Sequence, residues 1–162
     1  MGDKILTRIN IGAKIIQTKK VGISMKLSTK GRYGLRVMYF LAIDPEHVNV
    51  LSELSKQTGV NAPYMEKILG ILKRKKLVKT VRGANGGYMI ARDPKDITIG
   101  EILRALEGNL YLADCNSGEC TKNCPTKRIF EYIYREINEL LDKKSLYEMV
   151  LGESNNEESI SR

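Results

Sequence analysis

The sequence predicts a mainly α-helical fold that carries one small β-hairpin, and three observations predict it. Two short amphipathic segments flank the turn Thr58-Gly59-Val60-Asn61. Two strand-like runs flank the glycine-rich stretch Gly83-Ala84-Asn85-Gly86-Gly87. A longer apolar stripe at helical spacing runs from Ile129 to Leu141. A helix-turn-helix followed directly by a hairpin is the layout of a winged helix, so the expected architecture is a winged helix-turn-helix plus a long C-terminal helix. Of 162 residues 42% are hydrophobic, with two Phe and no Trp, so a packed core is expected and helices carry most of it.

Residues 1–24 read as an N-terminal extension, either a disordered basic arm or an upstream start codon read through, and Met25 resembles a second beginning. Ser28 or Thr29 caps a first helix to Ile43, with Leu35, Met38, Leu41 and Ala42 at helical spacing, and Asp44-Pro45 stops it. A second helix spans Leu51 to Gln57 and ends at Gly59. Asn61 caps a third, with Pro63 in its first turn, which continues to Lys75 and turns Met65, Ile68, Leu69 and Leu72 inward. The strands are Leu77–Arg82 and Tyr88–Ala91, joined by a tight turn at Asn85-Gly86, a pair suited to positive φ. Thr98 and Glu101 form a capping box for a helix through Leu106. A cysteine loop fills Asn109 to Cys124, Pro125 opens the longest helix to Leu141, and Ser145 begins a short last helix to Leu151. The polar residues 152–162 are expected to be a disordered tail. The domains are thus 25–95, the winged helix, and 96–151, the cysteine loop with its helices.

Charge separates these two domains. Residues 25–95 carry 14 Lys or Arg against 5 Asp or Glu, a local +9, whereas 96–162 carry 8 against 13, a local −5, within a chain of net +8. A polyanion is therefore the expected partner of the first domain alone. No apolar run approaches the ~20 residues of a membrane span. Lys14 splits the isoleucine-rich N-terminus before a signal-peptide core forms, and Leu6 stands where a myristoylation site needs Ser or Thr. The expected location is the cytoplasm. The sequence has no Cys-x2-Cys pair, nucleophile–base pair or nucleotide loop, which argues against a thiol redox enzyme.

A helix at the tip of a small basic domain can enter the major groove of double-stranded DNA, where base edges differ in donors and acceptors. The N-terminal turn of the third helix offers Asn61, Tyr64 and Lys67 at spacings of three. Glu66 beside them suits either a cytosine amine or helix capping. In the wing, Gly83 and Gly86 let the backbone approach DNA while Arg82 meets the minor groove or phosphate. Lys26, Ser28, Thr29, Lys30 and the run Lys73 to Lys76 suit phosphate, which sets affinity and salt dependence but not sequence choice. The same lysine run also stabilises a helix C-terminus.

These residues resemble the Rrf-type winged-helix regulators. Met25-Lys-Leu-Ser-Thr-Lys-Gly-Arg-Tyr-Gly34 looks like the family's opening. Tyr64-Met-Glu-Lys-Ile-Leu69 resembles its reading helix and Val81-Arg-Gly-Ala-Asn-Gly-Gly-Tyr88 its wing, with the likeness running from Met25 to about Val150. The resemblance implies a DNA-binding transcription regulator, not an enzyme, in which Tyr64 and its neighbours read the groove and Arg82 acts from the wing. It also implies a homodimer built on the C-terminal helix. Ile129, Ile133, Ile137, Leu140 and Leu141 supply the apolar stripe, broadened by Phe130 and Tyr134, and two-fold symmetry then implies a palindromic operator.

All three cysteines, Cys115, Cys120 and Cys124, fall in one loop. Three thiolates this close suit an iron–sulfur cluster or zinc, although zinc prefers tighter Cys-x2-Cys pairs. The resemblance favours the cluster, of 2Fe-2S or 4Fe-4S type, as in the IscR-like branch. Members of that branch often place His three residues past the last cysteine, or a carboxylate near the first helix; here those positions hold Lys127 and Arg32. Asp114, Glu119, a residue of a second subunit, a small thiol or an open site are the candidates for the fourth position. Structural zinc, metal-free thiol chemistry and control by a protein partner, as in the CymR-like branch, are the rival readings. His47, the one histidine, reads as a surface residue.

Overall fold

The computed structural model describes residues 27–110 and 124–159. In order, these form α1 (Thr29–Ile43), α2 (Leu51–Thr58), α3 (Ala62–Arg74), β1 (Val78–Val81), β2 (Gly87–Ile90), a 3-10 turn (Pro94–Asp96), α4 (Ile99–Glu107), α5 (Lys127–Lys143) and α6 (Leu146–Ser159). The expected class, mainly α with one hairpin wing, is the observed one. The core is shared by α1, α2, α3, both strands and α4, with Leu146 of α6 also fully buried in it. Met65, Ile68, Leu69 and Leu72 of α3 all point into it.

The starts of four helices follow from side-chain caps that satisfy otherwise orphaned N–H groups. The Ser28 hydroxyl accepts from Gly31 N–H at 3.2 Å, Asn61 Oδ1 from Tyr64 N–H at 3.0 Å, and Thr98 Oγ1 from Glu101 N–H at 3.0 Å. At α6 the capping box is complete, a feature the sequence reading did not use. Ser145 Oγ accepts from Glu148 N–H at 3.1 Å, and the Glu148 carboxylate accepts from Ser145 N–H at 2.8 Å. Those bonds from the Ser145 backbone and hydroxyl, joined by Lys144, hold the Glu148 carboxyl below its ordinary range. The box predicted at α4 is only half formed, because the Glu101 carboxylate pairs with Arg92.

The wing departs from the predicted Asn85-Gly86 turn. β1 and β2 pair antiparallel from Val78↔Ile90 to Val81↔Gly87, which leaves the five residues 82–86 as the loop. Positive φ falls on Gly83, at 113°, and Gly86 N–H donates to the Gly83 carbonyl at 3.0 Å. The cause is a third segment absent from the sequence reading: Asn49 and Tyr88 exchange backbone hydrogen bonds of 2.9 Å each. That bridge draws Gly87 into the sheet, where a Cβ would lie 2.5 Å from the Asn49 carbonyl oxygen. The turn must therefore close earlier.

The last helix also differs. It continues to Ser159, beyond the Leu151 expected and into the stretch 152–162 read as a disordered tail. Extending a nucleated helix adds one hydrogen bond per residue fixed, so the capping box at Ser145 supports a longer helix than apolar spacing alone implies.

Candidate nucleic-acid interface

Between α2 and α3 the chain turns within four residues. Gly59 takes the left-handed conformation at φ 70°, where a side chain would be strained, and so closes α2. Thr58 is buried; its hydroxyl donates to the Leu54 carbonyl at 2.6 Å and accepts from Val60 N–H at 3.3 Å. The Ser55 hydroxyl donates to the Val60 carbonyl. This turn presents the N-terminal end of α3 to solvent. Asn61, Pro63, Glu66 and Lys67 are exposed there, opposite the buried face.

Each expected reading residue has a definite place. Asn61 and Lys67 are exposed, although the Asn61 side-chain oxygen is already engaged in capping. Tyr64 is half-buried, its ring edge-on to Tyr33 with centroids 6.2 Å apart, so only part of it faces outward. Arg82, Gly83, Ala84 and Asn85 are exposed at the wing tip, and Gly86 is half-buried beneath them. A Cβ on Gly86 would lie 2.6 Å from the Val81 carbonyl oxygen, so the tip can fold this tightly only with glycine there. Lys73, Arg74, Lys75 and Lys76 are exposed at the other end of α3.

At the start of α1 the phosphate candidates divide. Thr29 is exposed and Lys30 half-buried, whereas the Ser28 hydroxyl caps the helix and donates to the Glu107 carboxylate of α4. Lys26 lies outside the described residues. Tyr33 and Arg36, which sequence reasoning missed, lie on the α1 face beside the turn. Their spacing of three was the available signal.

The second group of candidates lies on α5, a 17-residue helix with no buried residue among those described. Ile129 is 51% exposed and Leu140 59%, while Ile133, Ile137 and Leu141 are half-buried. The helix is tied down at its C-terminal end. Ile99 N–H donates to the Lys144 carbonyl and Leu146 N–H to the Ile97 carbonyl, each at 2.8 Å. Arg104 of α4 donates to Asn138 at 3.0 Å and pairs with Asp142. At the other end Cys124 precedes α5; its half-buried sulfur lies 3.0 Å from the Thr126 hydroxyl. Cys115, Cys120, Asp114 and Glu119 lie outside the described residues. Of the other positions weighed for the metal, Lys127 faces Glu131 at 3.7 Å, Arg32 is exposed, and His47 is exposed 3.9 Å from Glu53. No described helix is long and apolar enough to cross a membrane.

Comparison with known proteins identifies the family. Residues 27–151 match the Rrf2 family, described as iron-dependent transcriptional regulators. The transcriptional regulator CymR of Bacillus subtilis is 35% identical over 127 residues, covering 77% of this chain and 89% of that protein. The transcriptional regulator IscR of Sodalis glossinidius is 30% identical over 133 residues, covering 80% and 81%. Among solved structures, T. potens IscR superposes with a TM-score of 0.68 at 36% identity, covering 80% of this chain and 89% of that one. These relatives are named as regulators of transcription, not as enzymes. The winged helix and the match over 27–151 agree: this chain belongs to the Rrf2 family of transcriptional regulators.

Proposed function

We propose that this regulator binds a palindromic DNA operator as a homodimer and that an iron–sulfur cluster held by its cysteine loop adjusts that binding. One observation carries the reading: the N-terminal turn of α3 and the wing tip are both exposed, while the apolar face of α3 is consumed in the core. In this reading Asn61, Lys67 and the outward part of Tyr64 meet base edges, and Arg82 enters the minor groove or meets phosphate. Thr29, Lys30 and Lys73 to Lys76 set affinity and its salt dependence. The stripe from Ile129 to Leu141 buries itself against a second copy, which places two reading heads on successive turns of a duplex.

Cys115, Cys120 and Cys124 would hold the cluster, and Cys124 suits that role. It is half-buried and adjoins a hydroxyl able to hydrogen-bond a thiolate. A bound iron–sulfur centre supplies a one-electron redox couple. Because Cys124 leads directly into α5, a rearrangement of its loop would act first on the N-terminal end of that helix, while Arg104 and the Lys144 backbone hold the other end. A shift of about 1.4 kcal/mol between two dimer geometries changes operator occupancy tenfold, an ordinary allosteric coupling. The likeness to CymR supports a second reading, in which a protein partner or metal-free thiol chemistry controls the same DNA-binding dimer.

Anaerobic purification followed by iron, sulfide and absorbance measurements, with duplex selection from a random pool, tests both. The cluster reading expects a coloured protein that loses its absorbance when all three cysteines become Ser, and selected duplexes with mirrored half-sites. A colourless protein that still selects such duplexes supports the second reading. A zinc-containing, colourless product removes the cluster. A monomer with no duplex preference removes the whole proposal.

A further inference from the structure

The helix-turn-helix is held from outside by two residues of α1. Tyr33 and Arg36 are three positions apart and so share a face of that helix. Arg36 Nη1 donates to the Thr58 carbonyl, at the last residue of α2, at 2.9 Å. The Arg36 guanidinium carbon lies 6.0 Å from the centroid of the Tyr33 ring. That ring in turn meets Tyr64, in the first turn of α3, edge to face at 79°. The four groups form one continuous bridge from the end of α2 to the start of α3, spanning the Gly59 turn.

We infer that Tyr33 and Arg36 are positioning residues for DNA reading, because this bridge fixes the angle at which α3 is presented to the groove. The inference rests on α3 being the reading helix, as proposed above. The turn's side-chain hydrogen bonds from Ser55 and Thr58 stay within residues 54–60, and only Asn61 reaches the first turn of α3, by accepting from the Tyr64 and Met65 N–H groups. Orientation of α3 relative to α2 therefore falls to packing, and on the exposed side of the turn that packing is the Tyr33–Tyr64 contact, with Arg36 holding Tyr33 to α2. Arginine suits the post because its planar fork can stack on a ring and donate to a carbonyl at once; a lysine ammonium is a point charge on a flexible stem. An error in groove entry costs mostly base contacts, which demand geometry, and spares phosphate contacts, which tolerate displacement.

The test compares the affinity ratio between a duplex selected by the wild-type protein and a random-sequence duplex, across a salt series. Far-UV circular dichroism and melting verify the fold of every variant. Arg36→Lys and Tyr33→Leu are expected to lower the ratio about tenfold, the scale of one good base contact, with random-duplex affinity and salt slope unchanged. Tyr33→Phe, which keeps the ring, is expected to keep the ratio. If Arg36→Lys retains the wild-type ratio, the bridge does not position α3 and the inference is overturned. Equal losses on both duplexes overturn it too, since they mean that Arg36 contacts phosphate or merely supports the fold. Absence of any duplex preference in the wild-type protein is a separate result: it defeats the reading-helix proposal and takes this inference with it.

Discussion

Helices α3 and α5 are both amphipathic, yet their apolar faces meet different fates. In α3 the side chains of Met65, Ile68, Leu69 and Leu72 are fully buried inside their own chain. In α5 no side chain is buried, and Ile129 and Leu140 are more than half exposed. Helical periodicity reports that a face seeks cover; it does not say which molecule provides it. The buried face positions a surface, because α3 can offer Asn61 and Lys67 outward only when the opposite side is anchored. The uncovered face suits an association.

The contrast is sharpest where a side chain is removed from each face. Leu69→Ala is expected to cost about 2–5 kcal/mol of unfolding free energy, because a fully buried leucine leaves a cavity. Urea denaturation at two protein concentrations measures it, and a loss below 1 kcal/mol would mean that α3 is not anchored by this face. If the proposed homodimer forms on α5, Leu140→Glu should leave the winged helix folded while raising its dissociation constant tenfold or more, about 1.4 kcal/mol or above. Sedimentation across a concentration series reads it, and unchanged self-association would detach α5 from dimerisation.

Smaller effects refine the same picture. Asn61→Ala is expected to cost about 1 kcal/mol of stability through the lost cap on Tyr64 N–H, and Asn61→Ser to recover most of it. If calorimetry finds the two variants equally stable, the cap contributes nothing to stability. Arg104→Ala removes the ties to Asn138 and Asp142; both ends of that ion pair are partly solvated, so the loss should be about 0.5–1 kcal/mol. Its sharper readout is hydrogen exchange in α5, which should quicken near Lys143 before it does near Lys127. The least effect belongs to Glu148. Its carboxyl is held below the ordinary value of 4.5, so its capping stabilisation is present above that value and fades as pH falls through the lowered one. Glu148→Gln should flatten that part of the acid-stability curve, and an unaltered curve would show that the Ser145 box does not contribute.

Much of the winged helix was legible in the chain. The caps at Ser28, Asn61 and Thr98, the break at Gly59 and the inward face of α3 all followed from local preference and spacing. The turn of the wing was not legible, because the bridge from Asn49 to Tyr88 joins segments almost forty residues apart and no local pattern encodes it. The contacts of Tyr33 and Arg36 with the α2–α3 turn were missed for the same reason. Tyr33 and Arg36 look like ordinary members of a basic helix until α1 is laid across the α2–α3 turn. The reverse held at Ser28, a residue that looked free to meet phosphate but whose hydroxyl is engaged with Gly31 and Glu107.

By itself, then, the amino-acid order determined where helices begin and end, which of their faces are apolar, and where positive charge collects. These depend on groups within about four residues of one another or on composition alone. Only the tertiary structure decided which apolar faces are covered, where the wing turns, and which polar side chains remain available to a ligand. Those outcomes depend on contacts between segments distant along the chain, each of which competes for the same surfaces and hydrogen-bonding groups.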